Sequence, residues 1–146
     1  MSADTKPEPN VKQAVPFFRV TDIGRSTRYY VDGLGFEMTN KWMPDGSLRW
    51  CWLQLGGTAI MLQVFWEHGQ PGRAPEGKLG LGVTICFQCA DALAFYREVT
   101  SKGIQASRPF VGNGLWTTTL VDPDGYRLEF SSPTDVPEET VLPEGQ

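Results

Sequence analysis

The sequence predicts an α+β fold built from two βαβββ modules, and three observations carry that prediction. A strand, a helix and a helix-ending glycine occur in that order twice. A glycine-bearing tight turn followed by an alternating strand also occurs twice. The spacing between the copies is nearly constant, with Gly35 and Gly103 separated by 68 residues and the strands at 58–63 and 126–131 by the same offset. Glycine is expected just past a helix because it enters the left-handed backbone region without steric penalty. An offset that holds between 66 and 68 at several landmarks marks a duplicated unit.

The elements follow in order. Val15-Pro-Phe-Phe-Arg-Val-Thr-Asp22 reads as an opening strand, with Val15, Phe17 and Arg19 alternating against Pro16, Phe18 and Val20. A helical stretch is expected at 26–32, ending at Leu34-Gly-Phe36. In the next strand Trp50, Trp52 and Gln54 alternate against Cys51, Leu53 and Leu55, and Gly56-Gly57 turns the chain into 58–63. The second copy opens with Val83-Thr-Ile-Cys-Phe-Gln-Cys89, continues with a helix at 91–100, and ends that helix at Lys102-Gly-Ile104. Leu115-Trp116 matches Arg49-Trp50, which makes Trp116 the equivalent of Trp50, and Asp122-Pro-Asp-Gly125 supplies a strong hairpin turn. Alternation assigns Ile60, Leu62, Val64, Leu128 and Phe130 to a core beneath the helices. Ala59, Met61, Gln63, Arg127, Glu129 and Ser131 take the opposite face, which mixes large aromatics with Arg, Gln and Glu as a ligand-binding concavity does.

This arrangement divides the 146 residues into a flexible N-terminal segment (1–13), one domain (14–132, modules about 14–65 and 79–132) and an acidic C-terminal tail (133–146). The segment 66–78, rich in Gly, Pro and charge, joins the modules as an exposed loop; linker and closing flap both remain open as readings. The formal charge of −4 resides in the tail, where Asp135, Glu138, Glu139 and Glu144 face no Lys or Arg. The rest of the chain is balanced, the tail reads as a solvated end, and no basic cluster points to nucleic acid or to a membrane surface. There is no run of about 18 apolar residues, and the first residues lack the apolar segment of a secretory signal, so a cytoplasmic protein is expected. Cys51, Cys86 and Cys89 read as buried free thiols of a reducing compartment, since a redox Cys-x-x-Cys opens a helix and this one ends a strand.

Several chemistries are excluded by pattern. There is no Gly-x-Ser-x-Gly elbow, no Gly-Lys-Ser/Thr phosphate loop and no third glycine of a dinucleotide fingerprint. The one histidine, His68, lies in the Gly/Pro-rich loop and reads as solvated.

Val20-x-Asp22 followed by Arg28-Tyr-Tyr30 and Leu34-Gly-Phe36, together with Asp122-Pro-Asp-Gly-Tyr-Arg-Leu-Glu129, resembles the opening and closing signatures of the vicinal oxygen chelate superfamily. That superfamily contains glyoxalase I, extradiol dioxygenases and the bleomycin-resistance proteins. The resemblance covers roughly residues 14–132 and implies paired curved mixed sheets around a ligand cavity, with the modules pairing within one chain or across a homodimer. Metalloenzymes of the superfamily carry ligands on the first and last strands of each module. Those positions fall here on Val15, Met61, a residue near Gly82, and Glu129; only the last is a carboxylate. One carboxylate does not hold a divalent cation, so no metal and no cofactor are expected, and the character is that of the metal-free bleomycin-resistance-like members.

The expected function is therefore sequestration of an aromatic or planar small molecule, with homodimerisation and no nucleic-acid or membrane partner. A lyase, isomerase or dioxygenase relative with a non-metal or atypical-metal site is the alternative. The ligand-binding candidates are Phe17, Arg19, Trp50, Trp52, Met61, Gln63, Trp116 and Glu129, with Trp42 and Trp66 at the mouth and no catalytic residue assigned. A guanidinium within an apolar strand binds a carboxylate or phosphate bidentately. An ion pair between Arg19 and Glu129 is the structural alternative for both residues.

Overall fold

Both helices begin at an aspartate that accepts a hydrogen bond from the backbone three residues on. Asp22 accepts from Arg25 N and Asp91 from Ala94 N, each at 3.0 Å, satisfying one of the unpaired amides of a helix start. The computed structural model describes residues 6–145, so Met1–Thr5 of the expected N-terminal segment and Gln146 lie outside the described residues. The chain runs β1 (Phe17–Val20), α1 (Ile23–Thr27) continuing as a π-helical turn (Arg28–Gly33), β2 (Glu37–Trp42), β3 (Trp50–Leu55) and β4 (Thr58–Val64). A short hairpin of β5 (Trp66–Glu67) and β6 (Gln70–Pro71) follows. The second module is β7 (Thr84–Gln88), α2 (Ala92–Ser101), β8 (Phe110–Gly112), β9 (Leu115–Val121) and β10 (Arg127–Pro133).

The two modules have the same topology. Their sheets are ordered β1-β4-β3-β2 and β7-β10-β9-β8, and in each the first strand runs parallel to the last while the other pairs are antiparallel. The fold class is α+β with paired mixed sheets. The expectation of curved sheets closed around a cavity is not met: each sheet is open, and among the described residues no strand pairing runs from one to the other. The physical reason lies in the core. Phe18, Tyr30, Phe36, Leu53, Ile60 and Leu62 of the first module form one buried cluster with Phe87, Val99, Leu120, Leu128 and Phe130 of the second. The inner faces are thus spent on a common core and on the helices, leaving the opposite faces uncovered by one another.

The Asp122–Tyr126 turn clasps the modules together. Asp122, 4% exposed, accepts from the Tyr30 hydroxyl and from the amides of Asp124 and Tyr126, each at 2.9 Å. Burial pushes its carboxyl above the ordinary range against those three bonds. Asp124 accepts from Thr21 N at 3.1 Å and pairs with Arg25 at 3.4 Å. The Tyr126 ring stacks on Phe18 at 4.3 Å, and its hydroxyl donates to the Arg19 carbonyl at 2.7 Å. Gly125 has φ +101°, which the turn requires, and a Cβ there would come within 3.1 Å of the Leu79 carbonyl oxygen.

Two segments are more ordered than the sequence implies. Within 66–78, His68 and Gly69 form the two-residue turn of the β5–β6 hairpin with φ of 51° and 80°. The acidic tail is docked rather than solvated. Leu142 is buried with Ala92, Val111 and Trp116, Val111 N donates to Thr140 O at 2.8 Å, and Leu142 N donates to Pro109 O at 2.8 Å. Val141 forms a single bridge with Phe110, covering part of the β8 edge. No helix among the described residues is long and apolar enough to cross a membrane.

Candidate functional site

Register assembles the site on the outer face of the first sheet. Phe17 lies beside Met61 and Arg19 beside Gln63 across the β1–β4 pair. Trp52 lies beside Met61 and Trp50 beside Gln63 across β3–β4. A bulge between Met38 and Asn40 then sets Asn40 beside Trp52 and Trp42 beside Trp50. Their neighbours Phe18, Cys51, Leu53, Ile60 and Leu62 point the other way and are buried. Six of the eight candidates, Phe17, Arg19, Trp50, Trp52, Met61 and Gln63, therefore share one face.

A shallow groove of about 500 Å³ is lined by Phe17, Asn40, Lys41, Trp42, Trp50 and Gln63. Its rim is aromatic. Trp42 meets Trp66 edge-on at 5.3 Å, and the Arg49 guanidinium, paired with Asp45 at 2.7 Å, sits 5.5 Å from the Trp66 ring. Trp52 donates from Nε1 to Gln54 Oε1 at 3.3 Å. The Arg19 guanidinium rests over the Phe17 ring at 4.8 Å, and no ion pair joins it to Glu129 among the described residues.

The other two candidates lie elsewhere. Glu129 is on the outer face of the second sheet, where it accepts from the exposed Cys86 thiol at 3.2 Å. That bond and the carboxylate's charge raise the Cys86 pKa. Cys51 is a buried thiol, pushed up to about 11 by desolvation, whereas Cys86 departs from the expected burial and Cys89 is half-buried. Trp116 is 9% exposed on the inner face, under α2 with Ala92, Val111 and Leu142. The register explains the displacement: Met61 faces Trp52 whereas Glu129 faces Thr119, so the equivalent of Trp50 is Thr117. Aligning Trp50 with Trp116 is one residue out, and a one-residue slip in a strand reverses the face.

Asn40 and Lys41 are groove residues that alternation did not find. The β2 edge strand is exposed along most of its length, and the bulge breaks its period.

The profile of the Glyoxalase/Bleomycin resistance protein/Dioxygenase superfamily matches residues 12–130. The chain belongs to this superfamily. Among solved structures of similar fold, a bleomycin resistance determinant encoded on the transposon Tn5 is 26% identical, with TM-score 0.63, covering 86% of this chain and 100% of that one. TnmS3, an antibiotic binding protein from Streptomyces sp. CB03234, is 20% identical with TM-score 0.63, over 84% of this chain and 98% of its own. A superfamily member from Sphaerobacter thermophilus DSM 20745 is 25% identical with TM-score 0.61, over 83% and 98%. A sequence search of curated proteins finds no significant match.

The metal positions of the superfamily do not fit a metal in this chain. Val15 and Gly82 offer no side-chain donor, and Met61 offers only a thioether among aromatic neighbours. The strand neighbours of Glu129 are Cys86 and Thr119, and no group of three or more His, Cys, Asp or Glu is gathered among the described residues.

Proposed function

We propose that the protein binds a planar, partly apolar small molecule on the outer face of its first sheet and acts by sequestering it. The observation that carries this reading is the contiguous platform of Phe17, Trp42, Trp50 and Trp52 around Met61 and Gln63, opening into the groove. A half-exposed aromatic platform of this size offers both ring faces and apolar area to a flat ligand. Stacking contributes about 0.5–1.5 kcal/mol beyond the burial itself. Likeness to a bleomycin resistance determinant and to an antibiotic binding protein supports binding as the mode of action. The polar groups at the groove, the Asn40 and Gln63 amides and the neighbouring Arg19 guanidinium, serve to orient a ligand.

A homodimer is part of the proposal. Phe17, Trp42 and Met43 are each at least 40% exposed, and a second copy over this face would add walls to a shallow groove. Light scattering at micromolar concentration tests it, with a monomer counting against. The binding reading is tested by tryptophan-fluorescence titration with a panel of planar aromatic compounds. Saturable quenching that weakens about tenfold in Trp50→Ala supports it; no saturable ligand in the panel, or affinity indifferent to Trp50 and Trp52, sinks it.

A further inference from the structure

Resting on that binding reading, we infer that the ligand is an anionic aromatic compound, a flat ring bearing a carboxylate or sulfonate, held by the Arg19 guanidinium. Four of the chain's other cations are already engaged with acids: Arg25 with Asp124, Arg49 with Asp45, Lys102 with Glu98 and Arg108 with Glu144. Arg19 has no carboxylate partner among the described residues and belongs to the platform, whereas Lys41 lies beside Cys51 and so falls on the opposite face of the sheet. The groove lining contains two neutral amides (Asn40 and Gln63) and no acid, and Arg19 lies beside Gln63 at its border.

The acids nearby do not offset this charge. Glu37 is at the far end of β2, across from Gln54, and Asp45 is occupied by Arg49 in a bidentate pair. Glu129 is on the other sheet, bonded to Cys86. A cationic ligand lying on these tryptophans would bring its charge towards Arg19 with nothing to neutralise it. An anionic one would meet a fork of donors.

That fork is held in place. The guanidinium lies over Phe17, and the Arg19 backbone is fixed through its carbonyl by the Tyr126 hydroxyl at 2.7 Å. A planar fork already oriented loses less freedom on binding a carboxylate than a lysine does. Gln63, the strand neighbour of both Arg19 and Trp50, places an amide between the cation and the ring platform. Ring and charge subsites are therefore adjacent, as a compact aromatic acid requires.

The test uses three probes with one ring system: anthracene-9-carboxylate, 9-anthracenemethanol and 9-(aminomethyl)anthracene. Each is titrated by tryptophan fluorescence against the full chain and its Arg19→Gln and Arg19→Lys variants, with thermal melts as the folding control. The expected order is carboxylate tightest by about tenfold over the alcohol, and the ammonium weakest. Arg19→Gln should remove most of the carboxylate's advantage and leave the alcohol unchanged. Arg19→Lys should restore only part of it, and added salt should weaken the carboxylate alone. Equal affinity for the three, or a preference for the ammonium, overturns the anion inference while leaving ring binding intact. If none of the three binds, the stacking site itself fails and the inference fails with it.

Discussion

Tyr29 and Tyr30 are adjacent, both carry hydroxyls in the interior, and the structure predicts opposite outcomes when each becomes Phe. The Tyr30 hydroxyl donates to buried Asp122 at 2.9 Å; the Tyr29 hydroxyl is buried without any partner among the described residues. A hydrogen bond to a charged group is worth about 1.5–3 kcal/mol. Asp122 keeps two amide donors when Tyr30 is changed. Tyr30→Phe should therefore cost about 2 kcal/mol, near the middle of that span. At about 3 °C per kcal/mol for a chain of this size, the melting temperature should fall by roughly 6 °C. Tyr29→Phe removes an unsatisfied polar group and should be neutral or stabilising by up to about 1 kcal/mol. Urea unfolding at pH 7 reads both values. The pH dependence adds a second check. The Asp122 carboxyl is raised in the folded state, so the stability it permits falls as pH rises from the unfolded carboxyl value through the folded one. The Tyr30 phenol works against that rise, so the Tyr30→Phe deficit should shrink as pH falls towards 4. A Tyr30→Phe variant within about 0.5 kcal/mol of the parent, or a Tyr29→Phe variant as damaged as Tyr30→Phe, would refute the reasoning.

Four further substitutions have expected outcomes. Trp116→Ala should lose about 3–5 kcal/mol in urea melts as a buried aromatic. Trp52→Ala, half-exposed on the outer face, should lose about 1 kcal/mol while weakening ring binding; equal losses would mean that the faces are reversed. Glu129→Gln should lower the Cys86 pKa and so speed its alkylation by iodoacetamide at pH 8, read by peptide mass spectrometry; an unchanged rate would show that the thiol and carboxylate do not interact. Leu142→Ala should cost about 2–3 kcal/mol and expose the Val111 amide to hydrogen exchange, because the tail is anchored there; stability within error of the parent would mean an undocked tail.

The modular order of elements was legible because a duplicated chain repeats its signals, and the first sheet's faces were legible because Trp50–Leu55 and Thr58–Val64 alternate without interruption. Trp116 was misplaced because aligning the copies by their tryptophans ignores that the connections between the last two strands differ, two residues after Leu55 against five after Val121. Closure of the sheets was not legible either, since alternation tells which face is buried but not how far a sheet bends. The clasp of Tyr30, Asp122, Thr21 and Asp124 joins residues about a hundred positions apart, and no local period reports a contact at that range. The tail misled by composition: its acids are exposed while buried Leu142, with Val136 packed beside the same cluster, makes the apolar anchor.

The loop at 66–78 makes the meeting of the two modules an event within one molecule. Their shared core and the Asp122 clasp would, in two separate chains, form only above some threshold of abundance. Joined by a short connection, the halves encounter one another at an effective concentration on the order of millimolar or more. The contact that positions Arg19, through Tyr126 of the other module, is consequently insensitive to dilution. Arg19 is held in the same place in a scarce protein as in an abundant one.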